Sequence, residues 1–218
     1  VRIARLISRK LGSERQLYVG ISALEVAEAN TAGAQARLRT VAGINANGTV
    51  AVQLDGSTFS GGLRSPKIGS YQRVTAGDRL FNVLVNGSSV SSATRTVAAG
   101  GDYTLLVHGT NTVTLIADDN RLPASGRFRM RLIHGAAGVD PLTLSVDYAA
   151  LVNDITEGNA SVFATSASNS SARLDVTSTS GVDPLFVDTD VNLQSFGVYT
   201  VFLLGGNATP TGVLRKDR

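Results

Sequence analysis

Few side chains in this 218-residue chain are equipped for chemistry. Cysteine is absent, which removes thiolate nucleophiles, disulfides and thiolate metal sites together. The two histidines, His108 and His134, stand in no ligand spacing such as His-x-x-x-His, and both read as structural. Serine is abundant, yet no Gly-x-Ser-x-Gly elbow presents one as a nucleophile. Carboxylates cluster at Asp118-Asp119-Asn120 and at Asp188-x-Asp190-x-Asn192. The second run offers alternating oxygen donors, and Asp188, Asp190 and Asn192 are the one calcium candidate. It lacks the glycine and terminal glutamate of an EF-hand loop, and the competing reading is a solvated acidic loop that discourages edge pairing. No pair of carboxylates announces a glycosidase cleft. The expectation is a protein that is not an enzyme, with no catalytic residue and no cofactor.

The elements that would position any site are duplicated. Arg37-Leu38-Arg39-Thr40-Val41-Ala42-Gly43 recurs as Arg129-Met130-Arg131-Leu132-Ile133-His134-Gly135. Val50 to Asp55 aligns with Leu142 to Asp147, and Tyr103 to Gly109 with Tyr199 to Gly205. In this alignment His108 is matched by Leu204 and His134 by Ala42, so neither histidine is duplicated. The dominant period is two: Val50, Val52 and Leu54 fall on one face, as do Leu142, Leu144 and Val146, the pattern of half-buried strands. Further strands are expected at 71–74, 80–85, 92–97, 102–108 and 112–117, and again at 161–165, 172–177, 185–187, 199–204 and 211–215. Turn pairs such as Asn47-Gly48, Asp55-Gly56 and Asn86-Gly87 separate them. Helical periodicity is nearly absent; Ala23 to Ala29 fits a short helical turn or a strand edge. The spacing predicts an all-β chain of two tandem antiparallel β-sandwich domains, 35–120 and 121–218. The connector from Asp118 to Gly126 is short and carries Pro123, so the domains should sit in a defined relation.

Residues 1–34 have no counterpart in the second copy. They hold two strand-like runs, around Val1 to Ile7 and Leu17 to Ile21, among several basic residues. An apolar strand outside a domain needs partners for its backbone groups and its side chains. Ile3, Leu6, Ile7, Leu17, Val19 and Ile21 are therefore candidate assembly residues of a strand donated to a neighbouring copy; the competing reading is an edge strand added to the chain's own first domain.

Composition narrows the partners. The net charge is only +3, the basic residues are scattered, and aromatics make up 6% with no Trp, so nucleic-acid binding is not expected. No run of 18 apolar residues supplies a membrane-spanning helix. A low charged content of 17%, with Ser, Thr, Asn and Gly making the polar surface, suits exported β proteins. Asn-x-Ser/Thr sequons at Asn47, Asn86, Asn159, Asn169 and Asn207 follow from that composition.

The repeated Arg-x-Arg strand, the alternating strand ending at Asp, the Gly-x-Tyr-Thr strand, and the Leu115 to Gly126 connector resemble the bacterial family "domain of unknown function 4397". The resemblance covers residues 36–218. It implies exported, immunoglobulin-like sandwiches on bacterial surfaces with no established enzymatic role. After its first strand this chain runs Ala42-Gly43-Ile44-Asn45 and His134-Gly135-Ala136-Ala137, where the family often has Asn/His-Ala-x-Pro-Asp. The basic N-terminal extension also lies outside the common pattern.

Two functions fit this reading. One is an extracellular structural subunit that builds a filament, sheath or surface layer by β-strand contacts between its own copies. The other is a cell-surface binding module for polysaccharide or another cell-wall component. Carbohydrate sites usually present exposed aromatics, and with few tyrosines and no Trp the sequence favours the first.

Overall fold

The computed structural model describes residues 6–11, 14–19, 34–45, 47–181, 183–206 and 208–218. Nineteen strands and no helix are assigned among them. Two form the N-terminal arm: β1 (Leu6–Leu11) and β2 (Glu14–Val19). Nine follow in the first repeat: β3 (Gln35–Ile44), β4 (Thr49–Leu54), β5 (Ser57–Arg64), β6 (Lys67–Ile68), β7 (Gln72–Thr75), β8 (Gly77–Val85), β9 (Ser88–Val97), β10 (Asp102–Gly109) and β11 (Thr112–Asp118). Eight make the second: β12 (Arg127–Ala137), β13 (Leu142–Val146), β14 (Ala149–Ile155), β15 (Ala164–Ala167), β16 (Asn169–Ser178), β17 (Phe186–Leu193), β18 (Val198–Gly206) and β19 (Thr211–Lys216).

Each repeat is a sandwich of two sheets. In the first, β5-β4-β8-β9 faces β11-β10-β3-β6, with β7 also paired to β3. In the second, β14-β13-β16-β17 faces β15-β12-β18-β19. The alternating residues identified in sequence supply the cores. Val50, Val52, Phe81 and Val83 meet Leu38, Leu105 and Val107 in one; Leu142, Leu144, Leu174 and Val176 meet Met130, Leu132, Val201 and Leu203 in the other. The duplication extends to small details. β6 bridges Val41 through Ile68, and the second repeat keeps an isolated bridge from Ala160 to Ile133 at the same place. Tyr103 and Tyr199, equivalent in the two repeats, each accept a backbone N–H with the phenol oxygen, from Ala98 and from Gln194, and so pin the loop before their own strand.

The expected all-β architecture is present, with one feature that periodicity does not encode. β3 runs parallel to β10, and β12 parallel to β18, so the opening strand of each repeat lies beside its penultimate one. Alternation reports which face of a strand is buried and carries no information about the direction of its neighbour. β5 and β14 were not anticipated either. Both pair through bulged registers, and β5 contains Gly61-Gly62, which interrupts the period-two pattern. The segment Ala23 to Ala29 lies outside the described residues.

The two sandwiches meet through their β3/β10 and β12/β18 faces. Val41, Ile68 and Leu106 pack against Ile133, Phe202 and Leu204 in a third apolar cluster. Gly43 and Gly135 sit at the crossing. A Cβ on Gly43 would stand 2.9 Å from Leu204 Cδ2 and 3.5 Å from the Gly135 carbonyl; one on Gly135 would stand 2.9 Å from Leu204 Cδ2 and 3.1 Å from Leu106 Cδ1. A side chain at either position would therefore have to displace Leu204, and at Gly135 Leu106 as well, within the packed junction. Gly43→Val or Gly135→Val is expected to cost about 1–3 kcal/mol by overpacking this junction, read as a lowered urea midpoint.

Candidate functional site

The most concentrated polar chemistry lies in the junction between the sandwiches. Arg39 on β3 and Arg131 on β12 occupy equivalent positions in otherwise apolar strands and are buried. Their neighbours on the parallel strands are also equivalent: Arg39 Nε donates to Thr104 Oγ1 at 2.8 Å, and Arg131 Nε to Thr200 Oγ1 at 3.1 Å. Each threonine hydroxyl then donates to an aspartate at the end of its own repeat, Thr104 to Asp118 at 2.7 Å and Thr200 to Asp217 at 2.6 Å. The arginines cross over. Arg39 Nη1 binds Asp217 Oδ1 at 2.6 Å, and Arg131 Nη2 binds Asp118 Oδ1. Each repeat thus supplies the carboxylate that neutralises the other's guanidinium, a reciprocal arrangement of the kind a two-fold axis produces.

Burial makes this exchange consequential. The side chains of Arg39, Arg131, Asp118 and Asp217 are at most 3% exposed. Two cations and two anions leave the cluster neutral, and its charge-assisted bonds offset the cost of removing them from water. Aromatic rings complete the desolvation. Arg39 lies 4.4 Å from the Tyr71 ring centroid and 5.0 Å from that of Phe202, while Arg131 lies 4.7 Å from that of Phe163.

The symmetry breaks around this centre. Tyr71 donates its hydroxyl to Asp118 at 2.6 Å, whereas Phe163, its equivalent, has none to give. Burial, and then the charge of Asp118, push the Tyr71 phenol well above its ordinary range. Arg37 forms a two-point pair with Asp102, which also accepts from Asn120 Nδ2 at 2.8 Å. Burial acts to raise the Asp102 carboxyl, but the Arg37 and Asn120 hydrogen bonds outweigh it and hold the group below the usual carboxylate range. In the second repeat Val198 pairs with Arg129 where Asp102 pairs with Arg37, and Arg129 turns instead to Asp119 in the connector at 2.9 Å. Hydrogen bonds from Arg121 and Arg129 hold the Asp119 carboxyl far below its ordinary value. Asp118 and Asn120 of the Asp118-Asp119-Asn120 run are accordingly buried anchors.

Both histidines lie near the far end of the junction. His108, 5% exposed, has Nδ1 3.2 Å from Glu157 Oε1 of the second sandwich and Nε2 3.3 Å from Thr114 Oγ1. His134 is fully buried. Its Nε2 lies 3.1 Å from the Val139 carbonyl, to which it must donate, and its Nδ1 accepts from the Ala136 N–H at 3.3 Å. Both ring nitrogens are satisfied in the neutral form. Burial first, with like charge from His108, pushes the His134 imidazolium down despite the favourable Val139 and Asp140 carbonyls and Glu157.

The residues singled out in sequence lie elsewhere. Leu6, Ile7, Leu17 and Val19 fall on β1 and β2, which pair antiparallel with each other in a sheet of their own, Leu6 opposite Val19 and Ser8 opposite Leu17. Ile3 and Ile21 lie outside the described residues. Asp188, Asp190 and Asn192 alternate along β17; Asp190 Oδ1 accepts from Ser171 Oγ at 2.8 Å, and the Asn192 carbonyl accepts from the Tyr199 hydroxyl at 3.3 Å. Among the described residues no three His, Asp or Glu side chains come together as a metal site. The Arg/Thr/Asp exchange went unrecognised in sequence, although its signal was present: Arg37-x-Arg39 and Arg129-x-Arg131 repeat a charge inside two core strands.

The family described as "Domain of unknown function (DUF4397)" matches residues 36–145, half of the chain, which belongs to that family. No curated protein sequence matches the chain. Among solved structures it is similar to a candidate cell adhesion protein from Bacteroides fragilis NCTC 9343, at 10% identity and a TM-score of 0.27, over 84% of this chain and 97% of that one. It is similar at the same identity and score to a carbohydrate-binding module of family 26 from Eubacterium rectale Amy13K, crystallised with maltoheptaose, over 84% of this chain and 96% of that one. Superpositions this poor leave the function to be argued from this chain's own residues.

Arg131→Met or Asp118→Asn, each stranding a buried partner, should destabilise by about 3–5 kcal/mol. The double variant Arg131→Met/Asp118→Leu should recover much of that loss, giving a large coupling in a denaturation double-mutant cycle. The depressed His134 predicts an acid limb. Its stabilising contribution is fully present above the unfolded-state value of about 6.5 and is lost as pH falls below it toward the folded value. Urea midpoints should therefore drop between pH 7.5 and 5, and His134→Ala, the residue found at the equivalent Ala42, should flatten that slope.

Proposed function

We propose that this member of the DUF4397 family is a non-enzymatic, exported structural unit that acts on the bacterial cell surface by presenting its sheets and loops to other molecules. The observation that carries this reading is the internally neutralised junction. The arginines, aspartates and threonines that could have formed a reactive centre are buried, neutralised and consumed in locking two sandwiches together. A catalytic site requires the opposite, polar groups left under-coordinated in a cleft where substrate can reach them. A locked pair of sandwiches instead transmits force and holds its surface loops in fixed relation.

Assembly between copies is the second part of the proposal. β1 and β2 form a two-stranded sheet separate from the four sandwich sheets. An isolated hairpin is marginal in water, and its outer edges offer unpaired backbone groups. Pairing of one copy's arm with the edge of another's sandwich would satisfy them, and head-to-tail repetition would propagate a filament, sheath or layer. The alternative, a surface module that binds polysaccharide, is favoured by one observation, the exposed ring of Tyr148 on a tight turn.

Removal of residues 1–33 separates the possibilities. The full chain should sediment as oligomers and appear as ordered assemblies by negative-stain electron microscopy, and the truncated chain should be a folded monomer. Two monomeric proteins, or two identical assemblies, would discard assembly through the arm.

A further inference from the structure

The two repeats differ systematically at their tightest turns. In the first, β4 and β5 are joined by Asp55-Gly56, with φ of 50° and 81°. In the second, β13 and β14 are joined by Asp147-Tyr148, with φ of 49° and 67°. The backbones match: Asp55 N–H donates to the Leu80 carbonyl and Asp147 N–H to that of Arg173, while the aspartate carboxylates accept from the N–H groups of Leu80 and Arg173. The position that calls for glycine in such a turn therefore holds a tyrosine. The loop before the penultimate strand repeats the exchange. Gly100, φ 74°, whose N–H donates to the Gln35 carbonyl, is replaced by Phe196, φ 63°, whose N–H donates to that of Arg127. A third left-handed glycine, Gly62, is answered by Asp154, a residue type that tolerates this conformation. Tyrosine and phenylalanine do not.

Burial does not compensate for the strain. Tyr148 is 80% exposed and Phe196 47% exposed. The Tyr148 ring has the Arg173 guanidinium 5.2 Å from its centroid, and Arg173 is itself fixed by two hydrogen bonds to Asp175. The register sets both aromatics at one end of the second sandwich. Asn169 pairs with Leu193, three residues before Phe196, and Gly126 links the two loops by accepting from Ser168 N–H and donating to Ser195 Oγ. Beside the Asp147-Tyr148 turn lies a groove of about 400 Å³, lined from β13 and β14 by Asp147, Ala149 and Ala150 and from the 166–169 segment by Ser166, Ser168 and Asn169. Asp147 and Ala149, on either side of Tyr148, both line it, while the Tyr148 ring itself lies against Arg173.

We propose that this end of the second sandwich is a binding site for a neutral polysaccharide, with Tyr148 and Phe196 as stacking platforms. A sugar ring presents a C–H face to an aromatic ring and hydroxyls to Ser, Asn and Asp, which matches two exposed rings at a sandwich end that also carries small polar side chains. The volume falls within the range of small-ligand sites. Arg173 neutralised by Asp175 gives no bias toward an acidic polymer. The proposal rests on the surface-binding reading and is independent of assembly through the arm, since no residue of 1–33 takes part.

The test is affinity gel electrophoresis of the full chain through soluble starch, xylan, galactomannan and laminarin. At least one of these glycans should retard the wild type. Tyr148→Gly and Phe196→Gly should each weaken that retardation at least tenfold, while Tm stays level or rises because the glycine of the first repeat is restored; Tyr148→Phe should keep binding. Passage of the wild type unretarded through all four gels would overturn the proposal. So would full binding by the Tyr148→Gly/Phe196→Gly double variant. Loss of assembly on removing residues 1–33, with glycan retardation unchanged, separates the two readings.

Discussion

Arg39 and Arg131 put two permanent cations where two β-sandwiches would otherwise meet as plain apolar faces. A guanidinium cannot shed its charge by deprotonation, so each must find an anion or keep the junction open to water. The anions come from the ends of the repeats: Asp118 closes β11, and Asp217 follows β19. Each arginine takes its closest carboxylate from the other sandwich, with Asp118 of its own repeat a more distant 4.0 Å from Arg39. The duplication therefore yields a mutually dependent pair, and the connector's close fit, with Asn120 on Asp102 and Asp119 on Arg129, follows from that dependence.

The same constraint bears on function. Junctions between domains are common places for ligand sites, because they are concave and can open. Here the centre of the junction is filled by Leu106, Phe202 and Leu204 and neutralised internally, and only its end opens, as a groove of about 380 Å³ between Asn45, Gly109, Thr110, Ala137 and Glu157. The recognition proposed above accordingly lies outside this centre, on loops at the sandwich ends and on the N-terminal hairpin. Divergence between the copies agrees with this. The junction residues Arg, Thr and Asp are kept in both, whereas the tight turns change from Gly56 and Gly100 to Tyr148 and Phe196.

Much of the architecture is legible in the chain because sheet burial has a period of two and turns have chemical signatures. Val50-Ala51-Val52 and Leu142-Thr143-Leu144 announce their faces, and Asp55-Gly56 announces its hairpin. The equivalent Asp147-Tyr148 turn carries no such signature, since tyrosine is not a turn residue, and only the repeat alignment brings it opposite glycine. The burial of Asp118 was hidden for a related reason. Acidic runs beside proline and glycine normally mark solvent-facing connectors, and nothing local distinguishes a carboxylate that finds an arginine in the next domain.

The sequence by itself determined the all-β class, the duplication, the core faces and the unmatched arm, because these depend on residue type and on spacing along one strand. The parallel placing of β3 beside β10, the exchange of carboxylates between repeats, and the gathering of Tyr148, Phe196 and a groove at one sandwich end were decided by tertiary structure. Each depends on contacts between residues tens of positions apart, whose partners are selected by how the sheets stack and by the need to neutralise buried charge, and no local pattern records either.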